Sequence, residues 1–459
     1  MKIRAPISAQ NRGSVLVVTI VISAVLAVTL ASYLTLVSFQ SRSVARSQHW
    51  NQALVIAEAG VEDALQMINK YVGTDMLTNW VNTHAADSWS LNGNVYSMTR
   101  FLDATKNSYY TVYVTNLNTK NTETVINSTG YILLPSGIAS STTLDRTVVV
   151  RARIDTLFNV AMAALGAIDL KGNGIATDSY DSGDPNYSTN GMYSKLKRKA
   201  GGDVATNNTI TNSVLSVGNA NVAGHIITGP YGSIDIGPNG SVGSIPWVDA
   251  NTKGIETGYR RNDMNVIFDD VILPSTSWLP TGEAGSAAGG SGTAPDGNTY
   301  DHVFLLDGDY TVTDNGTIYV GTNKNVRIKA TVGTFKPTKI YVAGTDNNSG
   351  KLTAYLTGTK AVLDTNHKTQ SGKPKNMVIY GLPSLTDLTY NGNGDFTGVI
   401  YAPQASFALN GGGSSTWDFI GASVTKVVQM NGHYHFHYDE DLKKNGPNNG
   451  YVATKWEEL

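Results

Sequence analysis

The sequence contains no cysteine. That removes disulfide staples, thiolate nucleophiles and Cys-ligated zinc or iron–sulfur centres together. It leaves the compartment open, because a large β domain needs no disulfide to be stable outside the cytoplasm. Charge is also scarce: 15% of the 459 residues are charged, and the formal net charge is -2. No broad basic surface follows, which argues against nucleic acid as a partner. The recognised nucleotide motifs are missing as well, since no GxGxxG and no phosphate loop with a following lysine and hydroxyl occurs. "GSVGS" and "GNGDF" are not nucleophile elbows, because neither centres a serine between glycines at a strand-to-helix turn.

What is present is glycine, 47 residues of it, with many Asn, Thr and Ser. These supply tight turns and β surfaces, so the bulk of the chain is expected to be β-rich with many corners. An apolar content of 41% suits folded protein, and the length allows two to four domains.

Between Arg12 and Arg42 no residue is charged. As a helix, Val15 to Phe39 measures roughly 37 Å, enough to cross a hydrocarbon layer of about 30 Å. The run has three possible fates: an export signal, a membrane anchor, or a helix that packs against copies of itself. It is longer than the 7–15 apolar residues usual in a secretory signal. The helical pattern also continues through "QHWNQALVIAEAGVEDALQMINKY", with Leu54, Ala57, Val61, Ala64, Leu65 and Ile68 at three- and four-residue steps. Residues 14 to about 71 therefore read as one rod of roughly 85 Å. Thr19, Ser23, Thr29, Ser32 and Thr35 can return hydroxyls to the backbone, and Ala24, Ala27 and Ala31 permit close helix approach.

Arg12–Gly13 before this helix resembles the leader junction of type IV pilins and type II secretion pseudopilins. "NRGSVLVVTIVI" followed by "ALVIAEAGVEDAL" is most similar to the PilX-type minor pilins, with Ala57, Glu58, Ala59 and Gly60 at that group's alanine–glutamate signature. The resemblance implies that a prepilin peptidase cuts after Gly13 and that the new amine of Ser14 is methylated. It implies partners in the inner membrane and among other pilins, contacted through Val15, Val18, Ala24, Ala31, Phe39, Ala57, Glu58 and Val61. Two positions depart from the major-pilin pattern: Val18 stands where a glutamate is usual, and Ser14 where phenylalanine is. The first departure is shared with PilX-type and tip-type (GspK-like) subunits and implies a minor, initiating or tip role.

Beyond Tyr71, residues 72 to 94 read as a short helix and loop. Segments 95–102, 109–117, 123–135 and 146–158 alternate and carry β-branched and aromatic side chains. The expected fold is thus α+β. A long N-terminal helix packs on a small antiparallel, pilin-like sheet over 72–158, followed by a mainly β domain over 159–442. Short runs such as "SIDIG", "TIYVG" and "GVIYAP", closed by Gly or Asn, read as an irregular parallel β-helix, with a β-sandwich as the alternative. Residues 281–300 are expected as an exposed insertion and 443–459 as a polar tail. "FTGVIYAPQASFALNG" and "HYDEDL" resemble a C-terminal β-helical domain of uncharacterised bacterial surface proteins, through Gly398, Tyr401, Ala402, Pro403, His437, Tyr438, Asp439 and Leu442. That resemblance implies architecture and no chemistry.

Candidate sites follow from spacing. In "HYHFHYDED", His433, His435, His437 and Asp439 alternate and share one face of a strand, at roughly 6.6 Å between successive members. They are candidates for a transition-metal site, with a half-buried aromatic strand or a His437–Asp439 lock as the alternative readings. "DGDYTVTDNG" (307–316) offers oxygens for calcium without EF-hand spacing. Asp169, Asp235, Asp269, Asp270, Asp307 and Asp309 are available to a polysaccharide lyase or hydrolase, but nothing in their spacing converges. The expectation is a non-enzymatic minor pilin or pseudopilin without a required cofactor, single-pass in a bacterial inner membrane, its β domain outside for adhesion, initiation or tip capping. The rivals are a membrane-tethered binder of envelope glycans and a secreted β-helical enzyme.

Overall fold

The structure is a computed structural model that describes residues 12–70, 89–117, 123–135, 143–170, 174–206, 214–217, 219–230, 232–363, 367–392, 394–410, 415–431 and 433–459, the side chains of 12–14, 70, 214–217 and 449 excepted. Most of the leader (1–11) and residues 71–88, expected as short helix and loop, lie outside the described residues. The chain divides into two compact units, Met1–Asp155 with Gly450–Leu459, and Thr156–Asn449.

The first unit is one long helix and one sheet. Helix α1 runs unbroken over Arg12–Lys70, because nothing in it is proline and the apolar run passes directly into an amphipathic one. Its first half is uncovered among the described residues: Val15, Val18 and Phe39 are 64%, 53% and 69% exposed. Thr19, Thr29, Ser32 and Thr35 return their hydroxyls to carbonyls three or four residues earlier, so the apolar half presents almost no free polar group sideways. The second half buries Ala53, Ile56, Ala57, Val61, Ala64, Met67 and Ile68, a single stripe at helical spacing.

That stripe lies on an antiparallel sheet of strands β1 (Trp89–Asn92), β2 (Val95–Phe101), β3 (Ser108–Thr115), β4 (Thr124–Leu133) and β5 (Thr143–Thr156). Tyr96, Met98, Tyr110, Val112, Val114, Ile126, Val148 and Val150 alternate inward to meet it. Contact is closest where glycines face the helix. A Cβ on Gly130 would fall on the carbonyl of Ala53 and the amide of Ala57, and one on Gly60 would strike Ser128, Tyr110 and Val112. Asp63 anchors the edge of this contact, pairing with Arg100 at 2.9 Å and accepting the Tyr110 hydroxyl at 2.7 Å.

The segment expected as a polar tail instead supplies a sixth strand, Asn448–Glu458, beside β5. Leu459 N–H bonds the Thr147 carbonyl and the Thr454 hydroxyl bonds the Arg151 carbonyl, so the two run in opposite senses. Asn69 of α1 reaches the Tyr451 carbonyl at 3.0 Å.

The second unit is built of short strands joined almost wholly in parallel. Three ladders carry it. One passes through Tyr310, Ile328, Ala354, Ile379, Ile400, Ser423, Met162, Val204, Ile226 and Arg260. A second passes through Phe335, Ala361, Leu388, Phe407, Val428, Ile168, Leu215 and Ile234. The third runs through His302, Ile318, Ile340, His367, Phe396, Phe419, Phe436, Thr177, Val222 and Val242. Like side chains stack along a ladder: the rings of Phe396, Phe419 and Phe436 lie 4.6 and 4.3 Å apart, nearly parallel.

The order of rungs is not the order of the chain. The first block (162–261) grows outward from the middle of the ladders, and the second (279–439) starts at the far end and returns. The last rung of the second block therefore pairs with the first rung of the first, at Ser423–Met162, Val428–Ile168 and Phe436–Thr177. The connection between blocks retraces the ladders: Met264 N–H bonds the Thr228 carbonyl, Tyr401 donates to the Asp269 carbonyl, and Trp278 meets Tyr355 edge-on. Residues 281–300, expected as an exposed insertion, hold strand Ala288–Thr293 paired antiparallel with Thr299–Phe304. Their glycines bury backbone rather than side chains; Gly289, at positive φ, lies flat against the Phe304 ring.

Gly130→Val should destabilise the first unit by about 2–3 kcal/mol, since the added methyls meet helix backbone that cannot yield. Urea unfolding of the detergent-held chain, followed through the α1 helical signal, checks this; an unchanged midpoint contradicts it.

Candidate functional site

Parallel register decides what gathers around Tyr434–Asp439. This strand lies between Trp417–Met430 on one side and Ala176–Tyr180 on the other, with Asp418 opposite His435 and Asp178 opposite His437. Tyr434, Phe436 and Tyr438 point to the core and are fully buried. The histidines point to the other face and meet the two aspartates. His437 Nδ1 lies 2.6 Å from Asp178 Oδ1, and its Nε2 lies 3.2 Å from Asp418 Oδ1. His435 Nδ1 is 3.8 Å from that same Asp418 oxygen. Among the described residues, Asp418, His435 and His437 are the group whose ligand atoms all fall within 4.8 Å of one another.

A roof of polar and aromatic groups holds the cluster. Tyr193 stacks on the His437 ring at 3.6 Å and donates its hydroxyl to Asp178 Oδ2 at 2.8 Å. Arg198 stands 3.8 Å from the same oxygen and pairs with Asp249. Burial by itself would push the His437 imidazolium down, but the hydrogen bonds and charges of Asp178 and Asp418 outweigh it and raise it to about 9. Burial and the neighbouring His437 hold His435 below the usual histidine range. Burial would raise Asp418, yet the two imidazoles hold it below the usual carboxylate range.

Two residues of the expected set stand apart. The strand begins at Tyr434, so His433 precedes it, and His433 does not belong to the group. Asp439, at the strand's end, turns inward: its Oδ1 accepts the amides of Ser182 at 2.9 Å and Asp441 at 3.1 Å. The expected His437–Asp439 lock is therefore replaced by His437–Asp178 and Asp439–Ser182. The oxygens of 307–316 do not converge either. Asp307 accepts the Asn325 amide, Asp309 pairs with Arg327, and Asp314 holds His302 and the Gly316 amide. Asp269 and Asp270 line a cavity of about 590 Å³ with Tyr355, Tyr380 and Tyr401, and Asp270 is held by Gln404 at 2.8 Å.

On α1, Val15, Val18, Ala24, Ala31 and Phe39 stand exposed on all sides of the helix. Ala57 and Val61, expected on a face that docks other subunits, are instead wholly buried under the chain's own sheet, with Glu58 half-buried beside them. Gly13 and Ser14 belong to the first turns of the helix.

Comparison with known proteins adds two matches. Residues 285–445 are similar to a family described as "Domain of unknown function (DUF7305)". Among solved structures, the chain is similar to the competence-associated pilin ComZ from Thermus thermophilus, at 14% identity over 89% of this chain and 97% of that one, with a TM-score of 0.29. No curated protein matches the chain.

Asp439 yields a pH test. Burial, with the charge of Asp441 nearby and the Tyr180 and Tyr438 rings around it, pushes its carboxyl up to about 7. Between the ordinary carboxylate range and pH 7 the folded state keeps a proton that the unfolded state has released. This residue's contribution is thus fully present at low pH and is lost as pH rises through about 7, by about 1.4 kcal/mol per unit in that window. Asp439→Asn keeps an oxygen for both amides, so its stability advantage over the parent should grow from pH 5 to pH 7 and then level off. Urea midpoints at four pH values measure it, and a pH-independent difference contradicts it.

Proposed function

We propose that the chain is a minor pilin-like or pseudopilin-like structural subunit. One observation carries the reading: a single helix whose second half is buried by the chain's own sheet, while its first half is uncharged, apolar and uncovered. A surface of that length is unstable in water and needs lipid or neighbouring apolar helices over it. In this reading α1 waits in the bacterial inner membrane as a single-pass anchor, then exchanges lipid for neighbouring pilin helices during assembly. Ala24, Ala27 and Ala31 let those helices approach, and Val18, in place of a glutamate, suits a PilX-type, initiating or tip subunit. We read the parallel ladders of the second unit as an irregular β-helix displayed outside the cytoplasm for adhesion, initiation or tip capping.

A prepilin peptidase would cut between Gly13 and Ser14. Intact mass of the protein extracted from its native membrane is expected to begin at Ser14 with one amine methyl; a chain still beginning at Met1 overturns the pilin reading and favours a plain tether. Ala24→Trp and Ala31→Trp should leave the chain in the membrane fraction but abolish the higher assemblies trapped by crosslinking. Undiminished assemblies would count against packing through that face.

A second reading, a membrane-tethered binder of envelope glycans, draws on the cavity where Tyr355, Tyr380 and Tyr401 lie beside Asp269 and Asp270. Flat rings next to carboxylates suit sugar faces and hydroxyls. The same mass measurement separates the two readings.

A further inference from the structure

We propose that Asp418, His435 and His437 bind one zinc ion, which pins the seam where the two sequence blocks of the second unit meet. This site does not depend on the N-terminal helix or its processing.

Geometry carries the assignment. Zinc bonds to nitrogen and oxygen of about 2.0–2.2 Å place tetrahedral ligands about 3.3–3.6 Å apart. The two separations to Asp418 Oδ1 are 3.2 Å from His437 Nε2 and 3.8 Å from His435 Nδ1, and all three ligand atoms lie within 4.8 Å of one another. An ion enters this set with small side-chain movements. Two imidazoles and one carboxylate are a donor set that suits zinc and leaves a fourth position for water, since the exposed side of His435 and Asp418 faces solvent.

The surrounding residues are arranged as a metal-bound histidine requires. His437 is almost fully buried, and its Nδ1 lies 2.6 Å from Asp178 Oδ1. With the Nδ1 proton donated there, zinc displaces the proton on Nε2, which points at Asp418, and so completes the carboxylate–histidine–metal arrangement that orients a ligating imidazole. Asp178 is in turn fixed by the Tyr193 hydroxyl, and the Tyr193 ring covers His437. The three ligands come from the last two strands of the second block, Asp418 from one and both histidines from the other, whereas Asp178 belongs to the first block. An ion held by His437 therefore ties both blocks through one imidazole. That seam is where a stabilising clip has most effect, because its strands come from opposite ends of the unit's sequence.

The test uses the full chain in detergent, stripped with a chelator and desalted, with zinc alone as probe. Calorimetric titration is expected to give one zinc per chain, and cobalt in its place should give the visible absorption of a four- or five-coordinate ion. Zinc should raise the melting temperature of the parent. Asp418→Asn and His435→Gln, both at half-exposed positions, should each weaken binding at least tenfold, and Asp178→Asn by about 10–100-fold. His433→Gln should bind as the parent does. Melting of each variant without zinc verifies that it is folded. The proposal is overturned if the parent takes up no more zinc than the Asp418→Asn/His435→Gln double variant, which would leave His437 as a bridge between two aspartates only. It is equally overturned if His433→Gln loses as much affinity as His435→Gln.

Discussion

The governing constraint is that α1 has two halves with opposite needs. From Ala53 to Ile68 one stripe of the helix meets a sheet so closely that glycine is required at Gly60 and Gly130. From Val15 to Phe39 the same helix is exposed, with nothing of the described residues packed over it. The second half therefore fixes the folded head, and the first half fixes what the chain must associate with. Hydroxyls turned back onto the backbone at Thr19, Thr29, Ser32 and Thr35 make the uncovered half compatible with hydrocarbon or with neighbouring helices.

The second unit solves a different problem. Parallel ladders need a return path for every strand, and here the chain also enters the stack in its middle and leaves it there. The C-terminal strand can then rejoin the first unit's sheet beside β5. The arrangement creates a seam held by backbone bonds, by the stacked Phe419 and Phe436 rings, and by the buried His437–Asp178 pair. Polar pairs at such a junction specify which strands meet, because a shifted register would leave Asp178 and His437 buried without partners.

Much of the first unit was legible in the sequence. The uncharged run announces α1, and alternation over 95–133 announces β2 to β4. The final strand was not legible: "NNGYVATKWEE" is polar because an edge strand keeps only part of itself from water, and Tyr451 is its one buried apolar residue. The hairpin at 288–304 was hidden for another reason, since "AGGSGT" packs through backbone and offers no side-chain pattern. At the His-rich strand, the alternation of His435 and His437 could be read locally. Asp418 and Asp178 could not, because parallel register pairs residues as many as 259 positions apart in the chain. Asp439 stays in register beside Tyr180, but its carboxylate is taken by the amides of Ser182 and Asp441, partners that strand alternation does not reveal.

The most direct test of the uncovered helix exploits the absence of cysteine, which makes any introduced thiol unique. Single cysteines at Val18, Ala24 and Leu34, with Leu196 as an exposed reference on the second unit, would be offered a charged, membrane-impermeant maleimide in sealed spheroplasts. The account predicts rapid labelling at Leu196 and none at the three helix positions until detergent is added. Equal labelling at all four sites would contradict it, because the apolar half of α1 would then lie in water.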